Sequence, residues 1–238
     1  ADFQGLAKKC IDSIHSYNKI PILTGGTGFY INSVCYNYTF SEFERDEELR
    51  QKLRKQAQKY GKDFLHQKLN SFDPISAKKI HPNNVRRVIR ALEVCIKTGR
   101  PFSYYEEKTK KQDTPYKLLI YGLTRPREEL YKRINDRVLV MFDKGFVEEV
   151  QQLLDMGYDR NLNSMQGLGY RQIISYIDGQ ISKQEAIELI ARDTRRYAKR
   201  QYTWFLRDKN ILWYDVSKKG KKKIITNITE QIEGLSKK

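Results

Sequence analysis

Cysteine is scarce in this sequence, and its few copies form no recognisable pattern. The 238 residues contain three cysteines, an odd number, at widely spaced positions and with no C-x-x-C pair. A disulfide framework and a zinc site are therefore not indicated, and we expect a reducing compartment, the cytoplasm. The three cysteines are Cys10, Cys35 and Cys95.

Catalytic patterns built on histidine, serine or cysteine are also missing. None of the three histidines stands in metal-ligand spacing with another histidine, a cysteine or a carboxylate. The sequence has no G-x-S-x-G motif, and the adjacent glutamates Glu106-Glu107 and Glu148-Glu149 are typical of helix surface. These absences argue against a zinc enzyme and against nucleophilic serine or cysteine catalysis.

Long apolar runs are absent as well. No stretch approaches the roughly 18 apolar residues that a membrane span needs. The opening residues, 1–5, are neither a signal peptide nor a start at methionine. We expect no association with the membrane interior, and we expect the first residue to lie inside a longer domain.

Positive charge is what the sequence has in excess. Lysine and arginine number 45 against 29 aspartates and glutamates, a formal net charge of +16, while 39% of the residues are hydrophobic. Such a chain is expected to fold, and its surplus favours polyanionic partners, first nucleic acid and second an anionic membrane surface. A lysine-rich surface that serves only solubility is the alternative. The positions of the charges must decide.

The order of the predicted elements is typical of an α/β protein. A helix over 3–16 is followed by a short apolar strand over 19–24, a glycine turn and a helix over 29–36. Two further strands are predicted over 116–123 and 210–215, where short apolar runs are rich in aromatic and β-branched residues.

A charged, helical block interrupts this order. We predict an all-helical insertion domain at 42–114, between two parts of one α/β core at 1–41 and 115–238. Gly61 is a predicted helix break, Asn83 and Asn84 are candidate N-caps, and a lysine-rich hinge is predicted over 108–114. The predicted insertion helices are 47–60, 62–70, 74–79 and 83–98.

The second part of the core is predicted to be mostly helical. Apolar residues recur with helical spacing in four segments, and the lysine run 218–223 with the tail after it is predicted to be surface. The four helices are 127–143, 147–156, 173–177 and 183–205.

The glycine turn after the first predicted strand has the parts of an anion-binding site. Gly25, Gly26 and Gly28 let backbone N–H groups approach a ligand, Thr27 adds a hydroxyl, and the following helix presents its positive N-terminus. The turn lacks the lysine and the spacing of a P-loop and is not G-x-G-x-x-G. A plain strand-to-helix turn is the alternative.

Arginines cluster on three predicted helices. The helix over 183–205 has one cationic face with aromatic residues interleaved, which suits RNA phosphates and bases, although a solvated basic face and core aromatics are the alternative. Arg133 and Arg137 lie one turn apart and either form surface ion pairs or neutralise a pyrophosphate leaving group. The other clustered cations are Arg86, Arg87, Arg90, Arg192, Arg196, Lys199 and Arg200.

Taken together, these segments resemble the tRNA dimethylallyltransferase family, also called tRNA isopentenyltransferases. The matching stretches occur in the family's order and span nearly the whole chain. They are PILTGGTGFY at 21–30, HPNNVRRVIRALEV at 81–94, RINDRV at 133–138, GFVEEV at 145–150, GLGYRQ at 167–172 and RRYAKRQYTWF at 195–205.

The resemblance implies both a fold and a reaction. The fold is a P-loop-NTPase-like α/β core with a parallel sheet, carrying a helical insertion that closes over the tRNA anticodon arm. The reaction transfers a dimethylallyl group from dimethylallyl diphosphate to N6 of the adenine 3′ of the anticodon, with Mg²⁺. In the family that adenine is flipped into one mouth of a channel and the diphosphate enters the other. We expect a monomer.

The resemblance also implies roles for particular residues. Thr27 and Arg137 are the implied catalytic residues, with Thr27 bonding the diphosphate or the reacting nucleotide and Arg137 neutralising the departing diphosphate. Gly25, Gly26 and Gly28 complete the diphosphate site. The implied tRNA-binding residues are Thr27, Arg50, Arg86, Arg87, Arg90, Gln166, Gly167, Gly169, Tyr170, Arg171, Gln172, Lys199, Arg200 and Gln201.

One departure from the family pattern bears on activity. The family carries a G-x-T-x-x-G-K-[ST] P-loop and a D-S-x-Q segment whose aspartate acts as general base, and neither occurs in these 238 residues. We therefore expect an N-terminal piece to be missing, Mg²⁺ to be held mainly by the diphosphate and that piece, and the chain alone to be inactive. The alternatives are an adenylate isopentenyltransferase and a non-catalytic RNA-binding module.

Overall fold

A computed structural model of the chain describes residues 1–38, 40, 45–110, 114–218 and 220–236. The contacts divide the chain into two units, one made of residues 1–25 and 29–118 and the other of residues 26–28 and 119–238. The predicted boundaries of the core and the insertion stay a prediction.

The first unit contains seven helices in the part that the structure describes. They are α1 (Asp2–Ser16), α2 (Gly28–Cys35, whose first residue belongs to the second unit), α3 (Glu47–Tyr60), α4 (Lys62–Phe72), α5 (Pro74–Lys79), α6 (Val85–Thr98) and α7 (Phe102–Lys110). Helix α7 was not predicted from the sequence. Of the predicted hinge at 108–114, residues 108–110 end this helix and 111–113 lie outside the described residues.

The predicted strand at 19–24 is wrong. These residues adopt no strand, and Ile22 is 76% exposed. A strand requires a hydrogen-bonded neighbour, and no described strand pairs with this segment. An apolar composition favours a strand, but it does not supply the pairing partner that a strand needs.

Helices α3 to α7 enclose a hydrophobic cluster of their own. Local signals explain their ends: Asp46 caps α3, Asp73 caps α5, Asn84 caps α6, and Gly61 separates α3 from α4 with a φ of 88°. The buried residues of this cluster are Leu53, Leu65, Leu69, Ala77, Ile80, Val88, Ile89, Ala91 and Leu92.

The second unit combines a two-stranded parallel sheet with helices. Its strands are β1 (Ile120–Thr124) and β2 (Ile211–Asp215), and its remaining helices are α8 (Arg127–Asp143), α9 (Phe146–Asp155), α10 (Tyr170–Ile177), α11 (Lys183–Phe205) and α12 (Lys221–Ser236). In the sheet Ile120 lies opposite Ile211 and Thr124 opposite Asp215. The prediction of an α/β fold with a parallel sheet is confirmed.

A second hydrophobic cluster joins helices α8 to α11. Its fully buried members include Val150, Ile173, Ala186 and Ile190. Helix α12 was not predicted, although Ile224, Ile228 and Ile232 recur at helical spacing after the lysine run. Ile224 is buried, so the tail is not entirely surface.

Candidate functional site

The glycine turn packs against the C-terminal part of helix α11. The side chain of Gln201 donates from Nε2 to the carbonyl oxygen of Gly26 at 3.0 Å. A Cβ atom on Gly26 would lie 1.9 Å from Gln201 Nε2, and one on Gly28 would lie 2.1 Å from Trp204 Cδ1. Gly28 is therefore required for space rather than for backbone conformation, because it has no positive φ and the Trp204 ring lies against it, whereas at Gly26 the end of the flexible Gln201 side chain could move aside.

This packing brings together two of the sequence stretches that the family resemblance singled out. Residues 26–28 and residues 201–204 are about 175 positions apart in the chain and belong to one unit. The turn leads into α2, whose first turn has no acidic residue, and the first N–H groups of a helix have no partner within it. Thr27 is exposed beside them. The arrangement suits an anion, and the roles of Thr27 and Gln201 stay predictions.

Helices α10 and α11 carry a cluster of arginines around Asp193. Arg171 donates to Asp193 Oδ2 at 2.8 Å and Arg192 donates to Asp193 Oδ1 at 3.1 Å. Arg196 lies 3.6 Å from the same carboxylate. Burial alone would raise the pKa of Asp193, but the hydrogen bonds from Arg192 and Arg171 lower it overall. Sequence reasoning missed Asp193, whose signal is an acidic residue within a basic helix face.

The GLGYRQ segment is built around a buried glutamine. Gln172 accepts from the Gly169 N–H at 3.0 Å and donates to Asp193 Oδ2 at 3.0 Å. Gly169 has a φ of 99°, a conformation that favours glycine. Gln172 thus links the start of α10 to α11, and its side chain is buried rather than presented to a ligand.

Neighbouring residues of the same segment are more exposed. Gln166 donates to the carbonyl oxygen of Arg160 at 2.8 Å, and Tyr170 bonds Glu149 through its hydroxyl. The Gly167 N–H donates to the carbonyl oxygen of Ser164 at 3.1 Å. Like Gln166, the remaining predicted contacts Lys199 and Arg200 are exposed, so these three side chains are accessible to a ligand.

A cleft of about 550 Å³ lies between α8 and α11. Asn135 and Arg195 line it, and Arg195 donates to Asn135 Oδ1 at 2.6 Å. Arg133 and Arg137 lie exposed on α8, outside the lining of this cleft. The cleft therefore does not by itself place Arg137 beside a bound group.

A second cleft, of about 450 Å³, opens where β1 and β2 end. Ligands of parallel α/β sheets bind at this edge. Thr124 and Tyr202 are hydrogen-bonded through their hydroxyls at 2.7 Å, and the Arg125 N–H donates to the same Tyr202 oxygen at 3.3 Å. The lining also includes Lys221 and Ile224, so the unpredicted helix α12 forms one wall. Sequence reasoning missed this cleft because the end of a strand identifies such an edge only after the strands have been paired.

In the first unit, predicted RNA-binding arginines are engaged with a buried glutamate. Arg50 donates to Glu93 from Nε at 2.9 Å and from Nη2 at 2.8 Å, and Arg90 donates from Nη1 at 2.7 Å. Glu93 is 1% exposed. Burial opposes its ionisation, but Arg50 and Arg90 with the Asp46 N–H lower the pKa of Glu93 to about 2.

The outer side of α6 is more accessible. Arg87 pairs with Glu106 at 2.8 Å, and Arg86 is exposed. The structure thus separates the predicted cluster into a structural part, Arg50 with Arg90, and an exposed part. Binding of RNA by either part stays a prediction.

The described residues contain no group of three or more histidine, cysteine, aspartate or glutamate side chains that could hold a metal ion. None of the described helices has the length and apolar character to cross a membrane.

Comparison with known proteins agrees with the family resemblance. A family model described as IPP transferase matches residues 1–209. A tRNA dimethylallyltransferase from Alkaliphilus metalliredigens is 50% identical over 234 residues, which cover 98% of this chain and 75% of that protein.

Solved structures give the same result. The full-length tRNA isopentenylpyrophosphate transferase from Bacillus halodurans has a TM-score of 0.67 and 41% identity, covering 98% of this chain and 72% of that one. A eukaryotic dimethylallyltransferase acting on tRNA has a TM-score of 0.74 and 25% identity, covering 98% and 61%. From the family model and these similarities over nearly its whole length, this chain belongs to the IPP transferase family.

Proposed function

We propose that this chain is the greater part of an enzyme that transfers a dimethylallyl group from dimethylallyl diphosphate to tRNA. The observation that carries the proposal is the packing of the glycine turn against Gln201, within a chain 50% identical to a tRNA dimethylallyltransferase. The turn lies against the C-terminal part of α11, in which Lys199 and Arg200 are exposed, and such cations would favour an anionic ligand.

The finer details of the proposal follow the family resemblance. The acceptor is N6 of the adenine 3′ of the anticodon, and the helical block α3–α7 is the insertion of a P-loop-like core that closes over the anticodon arm. A Mg²⁺ ion would be held mainly by diphosphate oxygens, since magnesium keeps several waters and binds through few carboxylates. We propose a cytoplasmic monomer.

The chemistry needs charge stabilisation and a base. The N6 amine attacks C1 of the dimethylallyl group, the C1–O bond breaks, and the diphosphate leaves with its bonding electrons while the amine loses a proton. Backbone N–H groups of residues 25–28, the Thr27 hydroxyl and the Arg137 guanidinium would stabilise the departing diphosphate. The base belongs to the D-S-x-Q segment of the family, which has no match among these 238 residues.

Two measurements test the proposal. The chain should bind a tRNA anticodon stem-loop more tightly than free adenosine monophosphate, because its exposed cations suit several phosphates at once. A preference for the free nucleotide would instead support an adenylate isopentenyltransferase.

The second measurement is turnover with tRNA and radiolabelled dimethylallyl diphosphate. We expect no product from the 238-residue chain alone, because it lacks the family's base, and product when a polypeptide carrying a D-S-x-Q segment precedes it. Robust turnover by the chain alone would contradict the assignment of the base. No turnover in either form would leave only RNA binding and would contradict the proposed enzyme.

A further inference from the structure

Asp193 lies beneath three arginine side chains that face the solvent. Its side chain is 13% exposed, whereas those of Arg171, Arg192 and Arg196 are 52%, 45% and 63% exposed. Each guanidinium has five N–H donors, and the Asp193 carboxylate accepts one hydrogen bond from Arg171 and one from Arg192. Most donors of the three arginines therefore stay available on the surface of α10 and α11.

The carboxylate is also held in place by a buried side chain. Gln172, which is 5% exposed, donates to Asp193 Oδ2 at 3.0 Å and accepts from the Gly169 N–H at 3.0 Å. One chain of hydrogen bonds thus runs from the backbone at the start of α10 to Arg171 and Arg192, and Arg196 forms an ion pair with the same carboxylate. A carboxylate with fixed orientation restricts the rotamers of the long side chains bonded to it.

We propose that Asp193 is a positioning residue that orders Arg171, Arg192 and Arg196 into one phosphate-binding surface, here called the arginine triad. The proposal rests on the proposed function and specifies how the α10–α11 part of the chain binds the tRNA backbone. Arginine suits this role because its planar fork matches phosphate oxygens, and side chains that are already ordered lose less entropy on binding.

Charge and positioning predict opposite effects for removal of the carboxylate. Asp193→Asn adds one unit of positive charge to the surface. If net charge alone attracted RNA, this variant would bind more tightly and with a steeper salt dependence. If the carboxylate positions the triad, the variant binds more weakly despite its greater charge. The sign of the change separates the two explanations.

The test measures the affinity of the whole 238-residue chain for a fluorescent tRNA anticodon stem-loop across a series of salt concentrations. We expect Asp193→Asn to weaken binding about tenfold, as for loss of one charge-assisted hydrogen bond. We expect the slope of log affinity against log salt to fall by about one. Asp193→Glu retains a carboxylate and should recover part of both quantities.

Asp178→Asn is the matched control. Asp178 pairs with Arg160 at 3.1 Å, outside the arginine triad, and the substitution makes the same change in net charge. We expect its affinity to stay within about twofold of the unchanged chain, as for an exposed ion pair. A loss equal to that of Asp193→Asn would overturn the assignment to Asp193.

A thermal melt shows whether Asp193→Asn folds. If it does not fold, substitutions of the three exposed arginines test the proposal instead. Arg171→Gln, Arg192→Gln and Arg196→Gln should each reduce the salt slope by about one. Where Asp193→Asn folds, Arg196→Gln should cost less affinity in that background, because the arginine is already disordered.

The outcomes distinguish the inference from the proposed function. If the unchanged chain does not bind the stem-loop, the proposed function fails. If the unchanged chain binds, and Asp193→Asn binds equally or more tightly, only the positioning role fails. Unchanged salt slopes in all three arginine variants would likewise overturn the triad.

Discussion

The buried glutamate of the helical block offers a test of how an ion pair stabilises this protein. Glu93 accepts four hydrogen bonds, three from Arg50 and Arg90 and one from the Asp46 N–H at 2.9 Å. Glu93→Gln removes the charge and substitutes a donor for one acceptor oxygen. Two guanidinium groups then face a neutral amide in a buried position, which is strongly destabilising.

The magnitude follows from the lowered pKa. The pKa of Glu93 falls from 4.5 to about 2 on folding, and at 1.36 kcal/mol per unit this corresponds to about 3 kcal/mol of stability near neutral pH. Because the folded pKa is depressed, the unfolded state binds more protons between pH 4.5 and 2. The stabilisation is therefore complete above about pH 5 and is lost as the pH falls, with about 2 kcal/mol lost between pH 7 and pH 3.

The assay is urea unfolding of the two proteins at several pH values, followed by far-ultraviolet circular dichroism. Tryptophan fluorescence alone would not suffice, because Trp204 and Trp213 both lie in the second unit. We expect a difference of about 3 kcal/mol at pH 7 that narrows toward pH 3. Glu48→Gln, an exposed glutamate of the same block, is the control and should leave the unfolding midpoint nearly unchanged.

A difference that does not depend on pH would refute the reasoning, because it would show that shape and packing, and not the charge of Glu93, account for the effect. A difference near zero at pH 7 would show that Arg50 and Arg90 recover their solvation when the charge is removed. That result would also mean that Arg50 and Arg90 can leave Glu93 without loss of stability and are available for the RNA contacts predicted from the sequence.

Two further substitutions test local packing and capping. Gly28→Ala should destabilise the second unit by about 1–3 kcal/mol in thermal melts, because the added Cβ would overlap Trp204. Gly25→Ala is the control and should be nearly neutral, because its added Cβ would have no atom within 4 Å. A similar loss of stability in both variants would contradict the close approach of Gly28 to Trp204. Asp73→Asn should cost about 1–3 kcal/mol in urea unfolding, because this buried side chain accepts three hydrogen bonds and an amide cannot accept them all. An unchanged midpoint for Asp73→Asn would refute the capping role.

Local signals in the sequence were sufficient for most of the helices. The bounds of α3, α5, α8 and α11 agree with the predicted ranges, because caps, helix breaks and apolar periodicity all act within a few residues. The strand at 19–24 was wrong, and α7 and α12 were missed. Residues 19–24 could form a strand only with a pairing partner, which the local sequence does not reveal. For α12, the lysine run obscured a regular apolar pattern.

The candidate site shows the same division. Sequence alone identified the glycine turn and the basic helices as separate features, each with a plain structural alternative, and the family resemblance added the GLGYRQ segment. Only the tertiary structure placed Gln201 on the Gly26 carbonyl and Asp193 beneath the arginines of α10 and α11.

The sequence by itself determined the family, the predominance of helices and the surplus of positive charge. What only the tertiary structure decided was which of those charges are used inside the fold. Arg50 and Arg90 bind a buried carboxylate, whereas Arg86 and Arg196 remain exposed. Helical spacing places a residue on a face of its own helix, but the partner of that face comes from distant parts of the chain and is set by packing.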